Sequence, residues 1–506
     1  MEGLTLYEHH ADQLILPHEF FLPFGGQLNP NNRWVVLSNL IPWSKAEKEY
    51  VKSLGDVRQG HKAFSVRLAL GSLIIQERLK LSDEETVRQI TENPYLQYFI
   101  GLPSFQDEAP FHPSSMTHFR KRLGQDIINQ VNEWVTEAQT KPSVEDQEQE
   151  DHSDDDQNGT SCSATENANF IDRRDQQTHK GKLLLDATCA PADIAYPTDL
   201  RLLNEAREKL EGIIDTLHEP YRGQQRKPRT YRKKARRAYL SVAKQRHPRK
   251  KTLRKAIRRQ LSFVKRNLKH VETLVAQGGL ERLSKQQYRD LLVIQELYRQ
   301  QWSMYKNKSH RIEDRIVSIH QPHIRPIVRG KSNAPVEFGA KLSVSVVDGF
   351  AFLDVLQWDA YHEGSYLQES VEAYHRRYGV YPEAVLADQI YRTRENRQYC
   401  KKLGIRLSGP KLGRPLKDSE EDSAQKRIEY QDALDRNAVE GKFGEGKRTY
   451  GLGLIRARLR QTSETVIALQ FLVMNLEKIL RDTFFSFFHL IIRQVFSCHK
   501  LRVVSF

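Results

Sequence analysis

The sequence predicts an α/β protein in which a mixed sheet with helices is interrupted by a helical insertion and preceded by an all-α domain. Three observations lead to this fold class. Short apolar runs typical of strands occur in two separate blocks, after residue 182 and after residue 340. Between them, apolar residues repeat at intervals of three and four, as they do along amphipathic helices. The same helical spacing fills residues 30–138, ahead of the first predicted strand.

Length and composition limit the class of protein. The chain has 506 residues, 39% hydrophobic and 28% charged, with a formal net charge of +15. No apolar run reaches the roughly 20 residues of a membrane span, and no signal peptide opens the chain. The 4 cysteines are scattered, which excludes a disulfide scaffold and a CxxC zinc module. We therefore expect a basic, multi-domain cytoplasmic protein, for which a polyanion is the first partner to consider.

Shifts in composition divide the chain into segments. Residues 141–156 hold eight acids and one base, so we expect a disordered acidic linker around them. An acidic tether that competes with DNA for basic surface is the alternative role. The predicted segments are an N-terminal arm (1–29), a helical domain (30–138), the linker (139–177), a core in two parts (178–200 and 326–482), the insertion (201–325) and an apolar tail (483–506) that mediates packing or oligomerisation.

The insertion is strongly basic. Tyr221–His270 contains 21 Lys and Arg and no Asp or Glu. Apolar residues still recur at helical spacing from Ile257 to Val275, from Leu203 to Leu217 and from Leu291 to Tyr305, which predicts a small antiparallel bundle. A solvated helix face would explain the charge, but fifty residues without a compensating acid favour phosphate binding.

The core segments contain a series of predicted strands and helices. Residues 183–191 form an apolar run with Asp186 inside it, and residues 193–197 are expected to form the next strand. Residues 340–347 and 350–357 flank Asp348-Gly349, the pattern of a hairpin with a tight turn. The remaining predicted strands are 384–387 and 405–408, and the predicted helices are 369–378 and 466–480.

Two aspartates take positions suited to chemistry. Asp186 is expected to end one buried strand and Asp388 another. Ligands of open α/β sheets gather beyond the carboxyl ends of the strands, so aspartates at the ends of adjacent strands would meet. Taken singly, each is more often a turn or cap residue.

A third carboxylate follows on a predicted helix. Arg436, Glu440 and Lys447 are spaced four and seven residues apart, which places them on one helix face. An ordinary row of surface ion pairs would have the same spacing. Two aspartates and a glutamate are nevertheless the oxygen ligands that a pair of Mg²⁺ ions needs for phosphoryl transfer, and the two cations would neutralise phosphate oxygens.

These residues resemble the three sequence blocks of bacterial insertion-sequence DDE transposases. The blocks are Leu183–Thr188, Val385–Asp388 with Tyr391, and the Arg-x3-Glu-x6-Lys spacing from Arg436 to Lys447. The tyrosine that precedes this third block in the family is Ala433 here. Residues 30–124 also resemble the helical domain found ahead of such cores, and residues 323–331 and 337–346 resemble the segment that re-enters the core after an insertion.

The resemblance implies an RNase H-like core and a specific chemistry. Asp186, Asp388 and Glu440 would be the catalytic residues and the ligands of two Mg²⁺ ions, which Mn²⁺ can replace. Further phosphate-binding candidates are Lys442, Lys411 and Arg414. The partners would be double-stranded DNA at the terminal inverted repeats and at the target, bound by a homodimer or higher multimer. The implied location is the cytoplasm, at the nucleoid.

Two other functions share the same residues. A metal-dependent RNase H-like nuclease without strand transfer needs the same carboxylates. A transposase-derived DNA-binding protein without activity would keep the fold, although the intact set of three acids speaks against it. A strand-transfer product would separate the first from a transposase, and function without metal in variants of the three acids would favour the second.

Overall fold

The computed structural model describes residues 16–22, 25–54, 62–140, 179–328, 336–410 and 420–503. Side chains are described up to residue 484, apart from residues 140 and 420–422. The acidic linker lies almost wholly outside these ranges, as does most of the N-terminal arm. Within the described ranges, six α-helices form the N-terminal region: α1 (Arg33–Leu40), α2 (Trp43–Leu54), α3 (Val66–Leu79), α4 (Asp83–Glu92), α5 (Pro94–Phe99) and α6 (Ser115–Thr140).

A mixed sheet forms the centre of the rest of the molecule. Its strands are β1 (Lys182–Pro191), β2 (Arg325–Val328), β3 (Val336–Val347), β4 (Phe350–Gln357), β5 (Ala384–Ala387) and β6 (Arg406–Leu407). The order is β2-β3-β1-β5-β6, and β4 pairs with β3 on the same side as β2. β1 runs antiparallel to β3 and parallel to β5, which in turn is parallel to β6. The predicted mixed sheet is therefore confirmed.

The hairpin between β3 and β4 forms at the predicted turn. Asp348 and Gly349 both have positive φ, 49° and 78°, as a tight two-residue hairpin loop requires. The strand expected at residues 193–197 is absent. After β1, Ala192 makes a single bridge to Ile455 and the chain then runs without regular structure to α7 (Asp199–His218). Pro197, the last residue of the expected strand, has no N–H group to donate to a neighbouring strand.

The insertion is a helical bundle, as the sequence predicts. After α7 come α8 (Arg232–Ala243), α9 (Lys250–Ala276) and α10 (Lys285–Asn307). The predicted apolar stripes face inward and form a hydrophobic cluster of their own, which includes Leu210 of α7, Val264 of α9 and Ile294 of α10. The basic residues of α8 and α9 lie mostly on the outside.

Four further α-helices follow β4 among the described residues. They are α11 (Leu367–Tyr378), α12 (Arg394–Lys402), α13 (Glu420–Thr449) and α14 (Arg460–Val503). The predicted apolar segment 466–480 is the buried part of α14, where Ile467, Leu469 and Leu472 are fully buried. The apolar tail continues this helix to Val503. No helix among the described residues is long and apolar enough to cross a membrane.

The N-terminal helices and the sheet share one hydrophobic core. A single cluster of buried residues extends from Trp34 in α1, through the strands, to Ile479 in α14. α14 packs along α6 on one side and meets β4 on another. Asn475 of α14 links the three, because its amide nitrogen donates to Asn132 of α6 at 2.9 Å and to the carbonyl of Ala351 at 2.8 Å. The N-terminal helices are thus fixed to the core.

Candidate active site

The register of two parallel strands brings the predicted aspartates together. Leu185 of β1 lies opposite Ala387 of β5, and Asp186 and Asp388 are the next residues of the two strands. β1 is a central strand, with β3 on its other side, and its apolar residues Leu183, Leu184 and Leu185 are buried. The two carboxylates therefore emerge at the edge where the β1–β5 pairing stops.

Asp186 does not end its strand, contrary to the sequence-based expectation. β1 continues for five residues beyond it, because residues 187–191 still pair with β3. Asp186 instead marks the point at which β1 loses its parallel neighbour β5. The apolar run continues past the aspartate as Ala187, Cys189 and Ala190, which are buried, and this is why the strand does not stop there.

Burial and negative neighbours raise the pKa of Asp186 to about 6. The backbone N–H of Ala187, 2.8 Å from the carboxylate, and Arg436 lower it, whereas Glu363 and Asp388 raise it. The carboxylate thus lies in a partly desolvated position with two negative groups close by. The same negative neighbours would stabilise a cation bound at this carboxylate.

Asp388 has a more open position. It follows the last residue of β5, and its carboxylate accepts a hydrogen bond from the N–H of Gln389, so it caps the short 3₁₀ helix Gln389–Tyr391. Arg436 of α13 donates to the same carboxylate at 3.3 Å. The Asp388 side chain is 58% exposed, which leaves it accessible to a ligand.

The predicted helix that carries the third block is confirmed, but its three residues have different surroundings along the molecule. Arg436, Glu440 and Lys447 all lie on α13. Arg436 contacts Asp388, and Glu440 follows one turn later as an exposed side chain with no ion pair in the described part of the chain. Lys447, eleven residues from Arg436, lines a cavity against the N-terminal helices instead. The structure therefore places two of the three predicted acids, Asp186 and Asp388, next to each other.

The other phosphate-binding candidates have different surroundings. Lys442 is largely buried and pairs with Glu445 at 3.0 Å. Glu445 also pairs with Arg481 of α14 at 3.0 Å, which ties α13 to α14. Lys411 and Arg414 lie outside the described residues. Their role remains a prediction.

One acidic residue near Asp186 is not predicted from the sequence. Glu363 begins a short 3₁₀ helix, Glu363–Tyr366, in the connection between β4 and α11. It pairs with Lys341 of β3 at 3.0 Å and is the first of the negative neighbours that raise the pKa of Asp186. In the sequence, its only distinguishing feature is an acid next to glycine between a predicted strand and a predicted helix.

A buried asparagine joins the turn of Glu363 to the turn of Asp388. The side-chain amide of Asn396 donates to the carbonyl of Gly364 at 2.6 Å and to that of Tyr391 at 2.9 Å. The two turns also touch directly, since a Cβ on Gly364 would lie 2.6 Å from the carbonyl oxygen of Ile390. Position 364 therefore requires glycine, because a Cβ there would clash with the Ile390 carbonyl oxygen. The two turns consequently form one unit at the edge of the sheet.

The residues present fit magnesium, although the full set does not converge. No three His, Cys, Asp or Glu side chains within the described ranges lie close enough to hold one metal ion. Mg²⁺ commonly binds through one or two carboxylates, with water and substrate phosphate filling its other positions. Asp186 and Asp388 supply that pair of hard oxygen ligands, and Glu363 adds a further negative charge near Asp186.

Comparison with known protein families gives two matches. Residues 385–477 match the model of the transposase DDE domain. Residues 23–122 match a transposase domain that bears the designation DUF772. A relative from Rhizobium meliloti, an uncharacterized protein termed ORF8 in the nfe locus, is 30% identical over 183 residues, which are 36% of this chain and 73% of the relative. No solved structure matches.

Fold, site and matched domains together define the class of protein. The mixed sheet with neighbouring aspartates is consistent with the RNase H-like core of an enzyme that transfers phosphoryl groups. The chain belongs to the transposases that combine a DDE domain with an N-terminal transposase domain of this type. Such a protein binds DNA and acts in DNA transposition.

Proposed function

We propose that this transposase belongs to an insertion sequence, binds the ends of its own element and catalyses both strand cleavage and strand transfer. The observation that carries the proposal is the Asp186–Asp388 pair, which strand register places side by side with Arg436 on the second carboxylate. Asp186, Asp388 and Glu440 are the proposed catalytic residues and ligands of two Mg²⁺ ions. A homodimer or larger multimer in the cytoplasm would act on the terminal inverted repeats and the target DNA.

The proposed reaction needs two phosphoryl transfers at one site. In the first, water attacks a phosphodiester at the element's end, leaving a 3′-hydroxyl and a 5′-phosphate. In the second, that 3′-hydroxyl attacks a phosphodiester of the target and releases a target 3′-hydroxyl. Divalent metal would supply Lewis acidity for both transfers. Arg436 donates a hydrogen bond to the Asp388 carboxylate and can contact a phosphate oxygen on the same side of α13.

The remaining proposed roles concern Glu440 and the basic residues. Glu440 is one helical turn from Arg436, about 6 Å along the axis of α13. Bending of the side chain or a small shift of α13 when DNA binds would bring its carboxylate toward the aspartates. Lys447, Lys442, Lys411 and Arg414 are proposed to contact phosphates, together with helices α8 and α9 of the insertion and the N-terminal helices.

The test is a cleavage and strand-transfer assay. The substrate is a plasmid that carries the coding sequence with its flanking genomic DNA on both sides, and a second plasmid is the target. Wild type, Asp186→Asn, Asp388→Asn and Glu440→Gln are compared in Mg²⁺, Mn²⁺ and EDTA. We expect wild type to give metal-dependent nicks and joined products, and each variant to lose at least about 100-fold in rate.

Each alternative has its own outcome. Cleavage without any joined product would indicate the nuclease, and binding of the ends without cleavage in either metal would indicate the inactive DNA-binding protein. Full activity of Glu440→Gln with loss of activity in both aspartate variants would remove Glu440 from the catalytic set. Glu445→Gln is the matched control on α13, since its partners Lys442 and Arg481 hold it away from the aspartates.

A further inference from the structure

A cavity of about 840 Å³ lies between the N-terminal helices and the chain that follows α13. Its first wall comes from the end of α3, the start of α4 and α6. Its second wall comes from the end of α13, residues 450–459 and α14. The wall residues used below are Lys80, Arg120, Lys447, Arg456 and Arg458. We call this cavity the interdomain cleft.

Positive charge dominates the interdomain cleft. Lys80, Arg456 and Arg458 are exposed, and none of the three makes an ion pair within the residues that the structure describes. The acidic groups of the wall are Asp83, which is paired with Arg120, and Glu77, whose pKa burial raises to about 7. Near neutral pH, Asp83 and Glu77 therefore do not fully neutralise the charge of the three exposed cations. The cleft therefore suits a polyanion.

Arg456 and Arg458 face the cleft because hydrogen bonds to the end of β1 hold the other side of the segment that carries them. The N–H of Ile455 donates to the carbonyl of Pro191 at 2.8 Å, and the N–H of Asp193 donates to the carbonyl of Ile455 at 3.0 Å. Ile455 is buried against this end of β1, and burial then alternates along the chain. Arg456 and Arg458 fall on the exposed side, as alternate residues of an extended segment do.

Strand β1 and helix α13 both extend from the aspartate pair to the interdomain cleft. Their lengths give the same distance between the two sites. Along β1, Asp186 and Pro191 are five residues apart, about 17 Å at the rise of a strand. Along α13, Arg436 and Lys447 are eleven residues apart, about 17 Å at the rise of a helix. B-form DNA advances about 3.4 Å per base pair, so this separation corresponds to about five base pairs.

We propose that the interdomain cleft binds the phosphate backbone of duplex DNA, about five base pairs from the phosphate that reacts at Asp186 and Asp388. Lys80 contacts the backbone from the N-terminal wall, and Arg456 and Arg458 contact it from the opposite wall. The inference rests on the proposed function, because it takes the DNA substrate of the transposase as the ligand. It adds that DNA is held between the two matched transposase domains rather than by either one alone.

The experiment measures how DNA affinity depends on salt. Full-length protein is titrated with a duplex of about 40 base pairs from the element's end, in EDTA, between about 50 and 200 mM salt. Each phosphate contact contributes about 0.9 to the slope of log affinity against log salt. Arg456→Gln/Arg458→Gln should therefore lower the slope by about 1.8. Lys80→Asn should lower it by about 0.9, and Asn tolerates the left-handed backbone of that position, where φ is 57°.

Lys401→Gln/Lys402→Gln is the matched control. It removes the same net charge from exposed positions at the end of α12, and its slope should equal that of wild type. Slopes for the cleft variants that equal the control would overturn the proposal, while metal-dependent cleavage by wild type would still support the proposed function. Wild type that does not bind the duplex would overturn both.

A second measurement tests the position. Ethylation of individual phosphates interferes with binding where the protein contacts the backbone. Wild type should show interference about five base pairs from the cleaved phosphate, and the double arginine variant should lose it there alone. Interference at the cleavage site with none at that distance would contradict the cleft. Equal melting temperatures of wild type and variants would show that the exposed substitutions leave the fold intact.

Discussion

Arg436 pairs with Asp388, and this contact is exposed to solvent. The side chains are 37% and 58% exposed, so the ion pair adds about 1 kcal/mol or less to stability. Holding the arginine side chain in one position costs conformational entropy, and the exposed ion pair adds little to the stability of the fold. We therefore expect Arg436 to matter more for the proposed phosphate binding than for folding.

Arg436→Gln should therefore separate activity from stability. We expect the free energy of unfolding to change by less than about 1 kcal/mol, and the cleavage rate to fall by about tenfold or more. Urea titration and the plasmid cleavage assay measure the two quantities. Arg427→Gln, an exposed residue on the same helix, should leave both unchanged. Unchanged cleavage in Arg436→Gln would assign Arg436 a structural role only.

His323 provides a pH-dependent contribution to stability. Its ring packs edge-on against Trp358 at 4.4 Å between centroids. Burial, together with the charges of the nearby Arg460, Arg289 and Arg325, lowers its pKa to about 4. The folded protein thus binds fewer protons than the unfolded chain between about pH 4 and 6.5, so this group makes stability fall as pH falls through that window.

His323→Phe should remove this contribution while keeping a ring against Trp358. Between about pH 7 and about pH 4.5, we expect wild type to lose about 1–2 kcal/mol more stability than the variant, after allowance for solvent screening. Urea unfolding at both pH values measures the difference. His310→Phe, at an exposed histidine, controls for the added ring. Parallel pH profiles of wild type and His323→Phe would show that His323 is not the group responsible.

The residues of the site differ in how well the sequence predicts their positions. At Asp388, a short apolar run that ends in an acid is enough to predict a strand end, and the structure confirms it. The same expectation is wrong for Asp186, because pairing with β3 continues β1 beyond the aspartate. Glu363 approaches Asp186 through the packing of two turns, and no local pattern encodes that contact.

Elements are predicted best where one local rule decides them. The Asp348-Gly349 turn and the apolar stripes of α7 and α9 follow from backbone and burial preferences, and the structure has them as expected. The strand expected at 193–197 does not form because no neighbouring strand is available there beyond one bridge. The join between the turns of Glu363 and Asp388 depends on Asn396, which is distant from Glu363 along the chain.

Asn396→Ala should weaken this join. Two buried carbonyls, of Gly364 and Tyr391, would lose their side-chain donor, which costs about 2–4 kcal/mol in unfolding free energy. We also expect slower cleavage, because the position of Asp388 depends on its turn. Urea unfolding and the cleavage assay measure the two effects. Asn307→Ala, at the exposed end of α10, should alter neither. Wild-type stability of Asn396→Ala would mean that direct contact alone holds the turns together.

Across the whole molecule, a buried ion cluster joins the N-terminal helices to the core. Arg377 of α11 donates to Asp354 of β4 at 3.0 Å and to Glu133 of α6 at 2.7 Å. The side chains of Arg377 and Asp354 are 9% and 1% exposed, whereas Glu133 is 40% exposed. The cluster supports the same junction as Asn475, so the two walls of the interdomain cleft hold a fixed distance.

Arg377→Met should be strongly destabilising, by about 3–5 kcal/mol, because the buried Asp354 carboxylate would lose its cation and keep only the Ser345 hydroxyl as a donor. The double variant Arg377→Met/Asp354→Leu should recover most of that loss, since an apolar pair replaces both charges. Glu133→Gln should cost much less, because Glu133 is partly solvated. Urea unfolding measures all three. Equal stability of the single and double variants would show that the buried charge of Asp354 is not the cause.

The same variants show whether the molecule behaves as one cooperative unit. The shared core predicts that amides of α6 and of β1 lose hydrogen-exchange protection together in Arg377→Met. The bundle of α7, α9 and α10 has its own hydrophobic cluster, so its protection should change less. Loss of protection in α6 alone would mean that the N-terminal helices open independently. The interdomain cleft would then lack the fixed spacing that sets its contact about five base pairs from the reacting phosphate.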